Sequence, residues 1–82
     1  MFISIAPDKI VKTDDIVGIF DLDTASQTKT ARDYFKKAER SGRVKITGIE
    51  LPKSFIVMKD GTVYLSQYAV KILAARTKYI FR

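Results

Sequence analysis

Eighty-two residues are enough to close one hydrophobic core but not two, so the chain reads as a single domain over residues 1–82. An apolar fraction of 46% with 29% charged residues is that of a folded globular chain, well away from the composition of disorder. Cysteine and histidine are both absent, which excludes disulfides and thiolate metal sites and removes the side chain that titrates nearest neutrality.

The formal charge of +6 is unevenly spread along the chain. Residues 1–27 hold two lysines against five aspartates, a net of −3, whereas residues 28–82 hold thirteen cations against four acids, a net of +9. That asymmetry is compatible with a footprint for nucleic acid or another polyanion, and equally with a solvated basic surface.

Phe2 to Ala6 alternates and is rich in β-formers, which predicts a first strand ending at the Pro7-Asp8 turn. This apolar start is too short for a signal-peptide core, and no later run approaches a membrane span. A cytoplasmic protein with no membrane partner is expected. Ile10-Val11 suggests a short second strand, and Ile16-Val17-Gly18-Ile19-Phe20, apolar or small on both alternating sets, reads as a buried strand in mid-sheet.

Beyond Asp21-Leu22-Asp23 the chain turns polar from Thr24 to Thr30, and a helix is predicted over about residues 30–41. Thr30 with Asp33 makes a capping-box variant at its start, and Gly42 suits its C-cap. Ala31, Tyr34, Phe35 and Ala38 recur at helical spacing and form one apolar stripe, which leaves Lys36, Lys37 and Arg40 to solvent.

Val44 and Ile46, alternating with Lys45 and Thr47, predict a short half-buried strand with a positive outer face. Ser54 to Met58 is a second continuous apolar strand, and Lys59-Asp60-Gly61-Thr62 before Val63-Tyr64-Leu65 signals a hairpin with a type I′ turn. Ser66 is placed to cap a last helix over about residues 67–79. Ala69, Ile72, Leu73, Arg76 and Ile80 mark one side of that helix, and Lys71, Lys78 and Arg82 another. The expected fold class is therefore α+β, a small and mainly antiparallel sheet packed with two helices.

Little here carries chemistry. Asp21 and Asp23 face the same way on an extended chain and could share a divalent cation, but no further acids lie close by, and an Asp-rich turn accounts for them equally well. Asp14-Asp15 reads as a turn before a strand. No phosphate-cradling glycine loop is present. Tyr64, Tyr68 and Tyr79 could stack on bases, although core and interface packing also accounts for them. Catalysis would have to run on carboxylates, lysines, hydroxyls or tyrosines in an arrangement that the spacing does not show. A binding protein is expected rather than an enzyme, with no cofactor and no metal.

Ile16 to Asp21, then Pro52-Lys53-Ser54-Phe55-Ile56-Val57, then Tyr64-Leu65-Ser66 leading into Leu73-Ala74-Ala75-Arg76, together resemble the RemB branch of the RemA/RemB family of bacterial extracellular-matrix and biofilm regulators, over nearly the whole chain. The resemblance implies an α+β domain of LytTR-like type that assembles into ring-like homo-oligomers, with RemA itself a DNA-binding activator. The DNA-contact arginines of RemA would fall near Asp15 and near Glu50-Leu51, where this sequence has acids. Lys53, within Pro-Lys-Ser, is the nearest retained cation. Two readings follow. In the first, a homo-oligomeric regulator contacts DNA phosphates through Arg43, Lys45 and Lys53; in the second, an interaction module partners itself or a paralogous RemA-like regulator and does not touch DNA.

Overall fold

The structure, a computed structural model, describes residues 2–23, 27–48 and 51–78. Strands β1 (Phe2–Ala6) and β2 (Lys9–Lys12) form an antiparallel hairpin, and a 3₁₀ turn at Thr13–Asp15 leads into β3 (Ile16–Asp21). Helix α1 (Lys29–Arg40) is followed by β4 (Val44–Ile46), β5 (Ser54–Met58), β6 (Val63–Ser66) and helix α2 (Val70–Lys78). The main sheet has the order β3-β5-β6-β4, antiparallel except where β4 runs parallel to β6. This is the α+β arrangement expected from the sequence.

Three layers result. On one face of the sheet, Phe55, Val57 and Val63 meet Ala31 and Ala38 of α1, with Phe20, Tyr34, Phe35 and Leu65 packed around them. On the other face, Ile56 and Met58 meet Ile3, Ile5 and Val11 of the hairpin and Leu73 of α2. The alternation of side chains along β5 divides its apolar residues between two cores, and all five of its residues are buried.

The mid-sheet strands are therefore β5 and β6, and β3 lies at an edge. Its apolar run is explained by cover on both faces, Phe20 toward α1 and Ile16 and Ile19 toward the hairpin. Two covered faces do not require two hydrogen-bonded neighbours. A register shift between Ile16 and Gly18 makes Val17 the extra residue of a bulge and leaves it exposed.

Local signals also resolve differently. Thr28, not Thr30, caps α1, its hydroxyl accepting the Ala31 N–H at 3.1 Å. At the other end Gly42 (φ +70°) sits one residue past the cap. Its N–H reaches Glu39 O, and the Arg43 N–H reaches Ala38 O at 3.0 Å, the paired bonds of a Schellman motif. The β5–β6 turn is not type I′, because Asp60 keeps a negative φ. Gly61 (φ +92°) takes the left-handed position after a tight turn closed by Gly61 N–H to Met58 O, a three-residue loop. Ser66 ends β6 and caps a turn, accepting from Tyr68 N–H, so α2 starts later than expected. Among the α2 residues whose burial is described, only Leu73 is deeply buried, and Ile72 is exposed. Ile46, expected half-buried, is exposed because β4 is the other edge strand. Tyr79, Ile80 and Arg82 lie outside the described residues, as do Thr24 and Glu50.

Candidate nucleic-acid interface

Strand direction decides which cations meet. The starts of β3, β4 and β6 and the end of β5 share one end of the sheet, the end that carries the 59–61 loop. Arg43 is delivered there by the Schellman motif and fixed again where its carbonyl accepts the Val63 N–H at 3.0 Å. Its guanidinium carbon lies 5.8 Å from the centre of the Tyr34 ring. The same side chain runs against Gly61, where a Cβ would come within 2.7 Å of Nη1. Arg43 Nε is buried with no hydrogen-bond partner among the described residues, so this half-buried arginine is seated by packing and the ring face.

Lys45 is exposed on β4, in register with Tyr64. Its charge helps hold the Asp60 carboxyl below the ordinary aspartate value, after the larger effect of the Thr62 N–H, which donates to Asp60 Oδ1 at 2.9 Å. Arg43 and Lys45 thus belong to one end of the sheet. Lys53 does not. It is exposed just before β5, with its N–H donating to Ser66 O at 2.7 Å and its carbonyl accepting from Leu22 N–H at 3.1 Å. A five-residue strand separates it from the loop end, roughly 17 Å at the usual rise per residue.

The loop end carries cations that sequence reasoning left out. Lys12 and Lys59, with Asp15 and Asp60, line a cleft of about 310 Å³ floored by Val11, Met58 and Tyr64. Lys9 Nζ stands 4.9 Å from the Tyr64 ring centre. Lys12 belongs to the stretch that is acidic on average, and only the folding of the β1–β2 hairpin onto the sheet carries it to this end. Lys59 was legible as the residue before the Asp-Gly turn.

Elsewhere the charges have local work. Asp21 Oδ1 accepts the Asp23 N–H at 2.9 Å, which closes the turn after β3. Among the described residues no cluster of three or more acids, histidines or cysteines could hold a metal ion. Arg76 lies 4.5 Å from the Tyr68 ring centre and donates to Ser4 O at 2.6 Å, tying α2 to β1. No described helix is long and apolar enough to cross a membrane.

A family model described as RemA-like, extracellular matrix regulatory protein A-like, matches residues 2–77. No curated protein matches the chain.

Proposed function

The chain belongs to the RemA-like family of extracellular matrix regulatory proteins, and from that premise we propose that it is a self-associating, cytoplasmic regulator of matrix and biofilm gene expression, of the RemB-like branch, that binds DNA. The observation that carries this reading is the family match across residues 2–77, supported by cations displayed at both ends of the sheet. Arg43 and Lys45 contact phosphate at the loop end and Lys53 at the other. The role is that of a binding protein, without catalysis or cofactor.

Three cations on an 82-residue chain make a weak polyanion site by themselves. Self-association repeats them on one particle, and effective concentration then raises affinity without any new contact. Each phosphate neutralised releases counterions, which makes the binding steeply salt-dependent. For promoter DNA titrated with the full chain, affinity should fall as salt rises. The variant carrying Arg43→Ala, Lys45→Ala and Lys53→Ala should bind more weakly, with the slope of log K against log salt reduced by up to about 3, at roughly 0.9 per lost contact. No binding at low salt, or binding indifferent to salt, would refute DNA recognition.

A second reading is favoured by Asp15 and Asp60, which sit among Lys12, Lys59 and Lys45 and offset part of their field. Under it the chain partners itself or a paralogous RemA-like regulator without touching DNA. The triple variant would then assemble normally and show no DNA phenotype.

A further inference from the structure

An open groove of about 690 Å³ runs between β1 and α2, larger than the cleft at the loop end, and none of Arg43, Lys45 and Lys53 lines it. Its walls are apolar, with Phe2 on the strand and Ile72 and Ala75 on the helix. Lys71 and Ala75, like Ile72 and Arg76, are one helical turn apart, so the four share one side of α2, while Leu73 is buried in the core. Phe2 and Ile72 stay 62% and 47% exposed. Ile10, 63% exposed, lies on the same outer face of the hairpin as Phe2, because Ile3, Ile5 and Val11 take the inner face.

The charge around the groove has one sign. β1, β2 and α2 contain no acid, and Asp8 belongs to the turn that joins the two strands. Lys71 and Arg76 line the groove, and Lys12 stands opposite Phe2 in the hairpin. An occupant that is apolar on one side and acidic beside it matches these features. Its backbone is constrained too. Arg76 Nη1 donates to Ser4 O at 2.6 Å, which takes up a main-chain acceptor of β1 on the side that faces the helix. A strand added there would have to break this bond, whereas a helix satisfies its own main chain and docks through side chains. The groove follows β1 from Phe2 to Ser4 and α2 from Lys71 to Arg76, roughly 7 Å along each, which is the reach of one to two helical turns. Because it is open to solvent, the outer side of an occupant stays wet, which suits an amphipathic helix better than a small apolar ligand that needs enclosing. A hollow also fits the ridge of a helix rather than the plane of a membrane.

We infer that the groove between β1 and α2 is a docking site for an acidic amphipathic helix of a partner protein. Apolar side chains at i, i+3 or i+4 spacing seat between Phe2, Ile72 and Ala75, and flanking carboxylates face Lys71 and Arg76. The contact is small, so affinity is modest and charge governs the rate of encounter. The inference goes beyond the proposed function: the regulator takes a protein partner here while Arg43, Lys45 and Lys53 are left to DNA.

The test is fluorescence anisotropy of a labelled helical peptide, leucine at i, i+3, i+4 and i+7 and glutamate elsewhere, titrated with the full chain. It should bind wild type with a dissociation constant in roughly the micromolar range, and a counterpart with lysines for the glutamates should not bind. A scrambled peptide of the same composition should bind about tenfold more weakly or worse. Ile72→Glu should weaken the glutamate peptide by about tenfold or more, and Lys71→Glu by about fivefold. If Ile72→Glu loses the wild-type circular dichroism, Ala75→Glu takes its place. No binding to wild type, binding that the charge at position 72 leaves unchanged, or equal binding of the scrambled peptide would overturn the docking site. Ile72-dependent binding to phosphatidylglycerol vesicles without a response to the peptide would overturn it in favour of a lipid surface. Dissociation of the wild-type particle by Ile72→Glu, seen by sedimentation velocity, would overturn it in favour of a contact between copies. The DNA titration of the wild type is independent of the peptide, so the proposed function stands or falls separately.

Discussion

Asp60 shows how much one carboxylate at a turn can do without being buried. Its Oδ1 accepts the Thr62 N–H at 2.9 Å, and the Thr62 hydroxyl and the nearby Lys45 charge add to that bond. All three favour the ionised form, so the folded-state pKa lies below the unfolded one. A depressed pKa contributes stability that is fully present above the unfolded value and lost as pH falls through the folded value. Acid titration of unfolding should therefore show the wild type losing an increment below about pH 4, which Asp60→Asn lacks because its amide does not titrate. Coinciding pH profiles for the two proteins would show that the turn makes no use of the charge. At this scale the sequence was informative about residue type and less so about position. Asp-Gly announced a tight turn, but only the backbone reveals that Gly61 alone takes positive φ. Thr28 and Thr30 are equally able to cap, and the choice depends on where the chain leaves the preceding loop.

At the scale of elements, two serines on neighbouring strands join the layers. Ser54 and Ser66 are register partners on β5 and β6, both buried. The Ser66 hydroxyl donates to Ile5 O at 2.5 Å and accepts from Tyr68 N–H at 3.1 Å, linking the sheet to β1 and to the turn before α2. Ser54 donates to Tyr68 O at 2.8 Å. Ser66→Ala deprives the Ile5 carbonyl of this donor in a buried site and is expected to cost about 1–3 kcal/mol. Ser54→Ala should cost less, because its bond is only part-buried. Urea titrations of the two variants check the order, and equal costs would mean that the Ile5 link contributes nothing particular. This polar link explains why the sequence misplaced α2: a serine after an apolar strand looks like a helix cap, and its true partner is 61 residues away. The same long-range dependence hid the edge position of β3. Apolar periodicity reports which faces are covered, whereas strand order is set by pairings between distant segments. The stripe on α1 was legible because amphipathicity is a property of a single element. The same holds for Arg43 and Lys53, whose presence could be read but not their separation.

On the scale of the whole molecule, the β1–β2 hairpin decides whether there is one cooperative unit or two. It forms its own two-stranded sheet, with no strand ladder to the main one among the described residues, and the Ser66 hydroxyl of β6 bonds to its Ile5 O. Yet Ile3, Ile5 and Val11 are three of the six buried residues of the core they share with Ile56, Met58 and Leu73. A chain of 82 residues has a total stability of roughly 4–12 kcal/mol at the usual value per residue. Ile5→Ala, at a fully buried position, is expected to remove about 2–5 kcal/mol of it. If the hairpin is an integral layer, that loss falls on the whole domain. Native-state hydrogen exchange should then show the slow amides of β1, β2 and β5 losing protection together, with one urea transition of unchanged slope. If the hairpin were a docked appendage, the β1 and β2 amides would lose protection alone and β5 would keep its wild-type value. The shared core favours the first outcome, and it bears on function, because the same docking carries Lys12 to the loop end beside Lys59. A hairpin that opened independently would take Lys12 away from Lys59, so this part of the basic end persists only as long as the fold does.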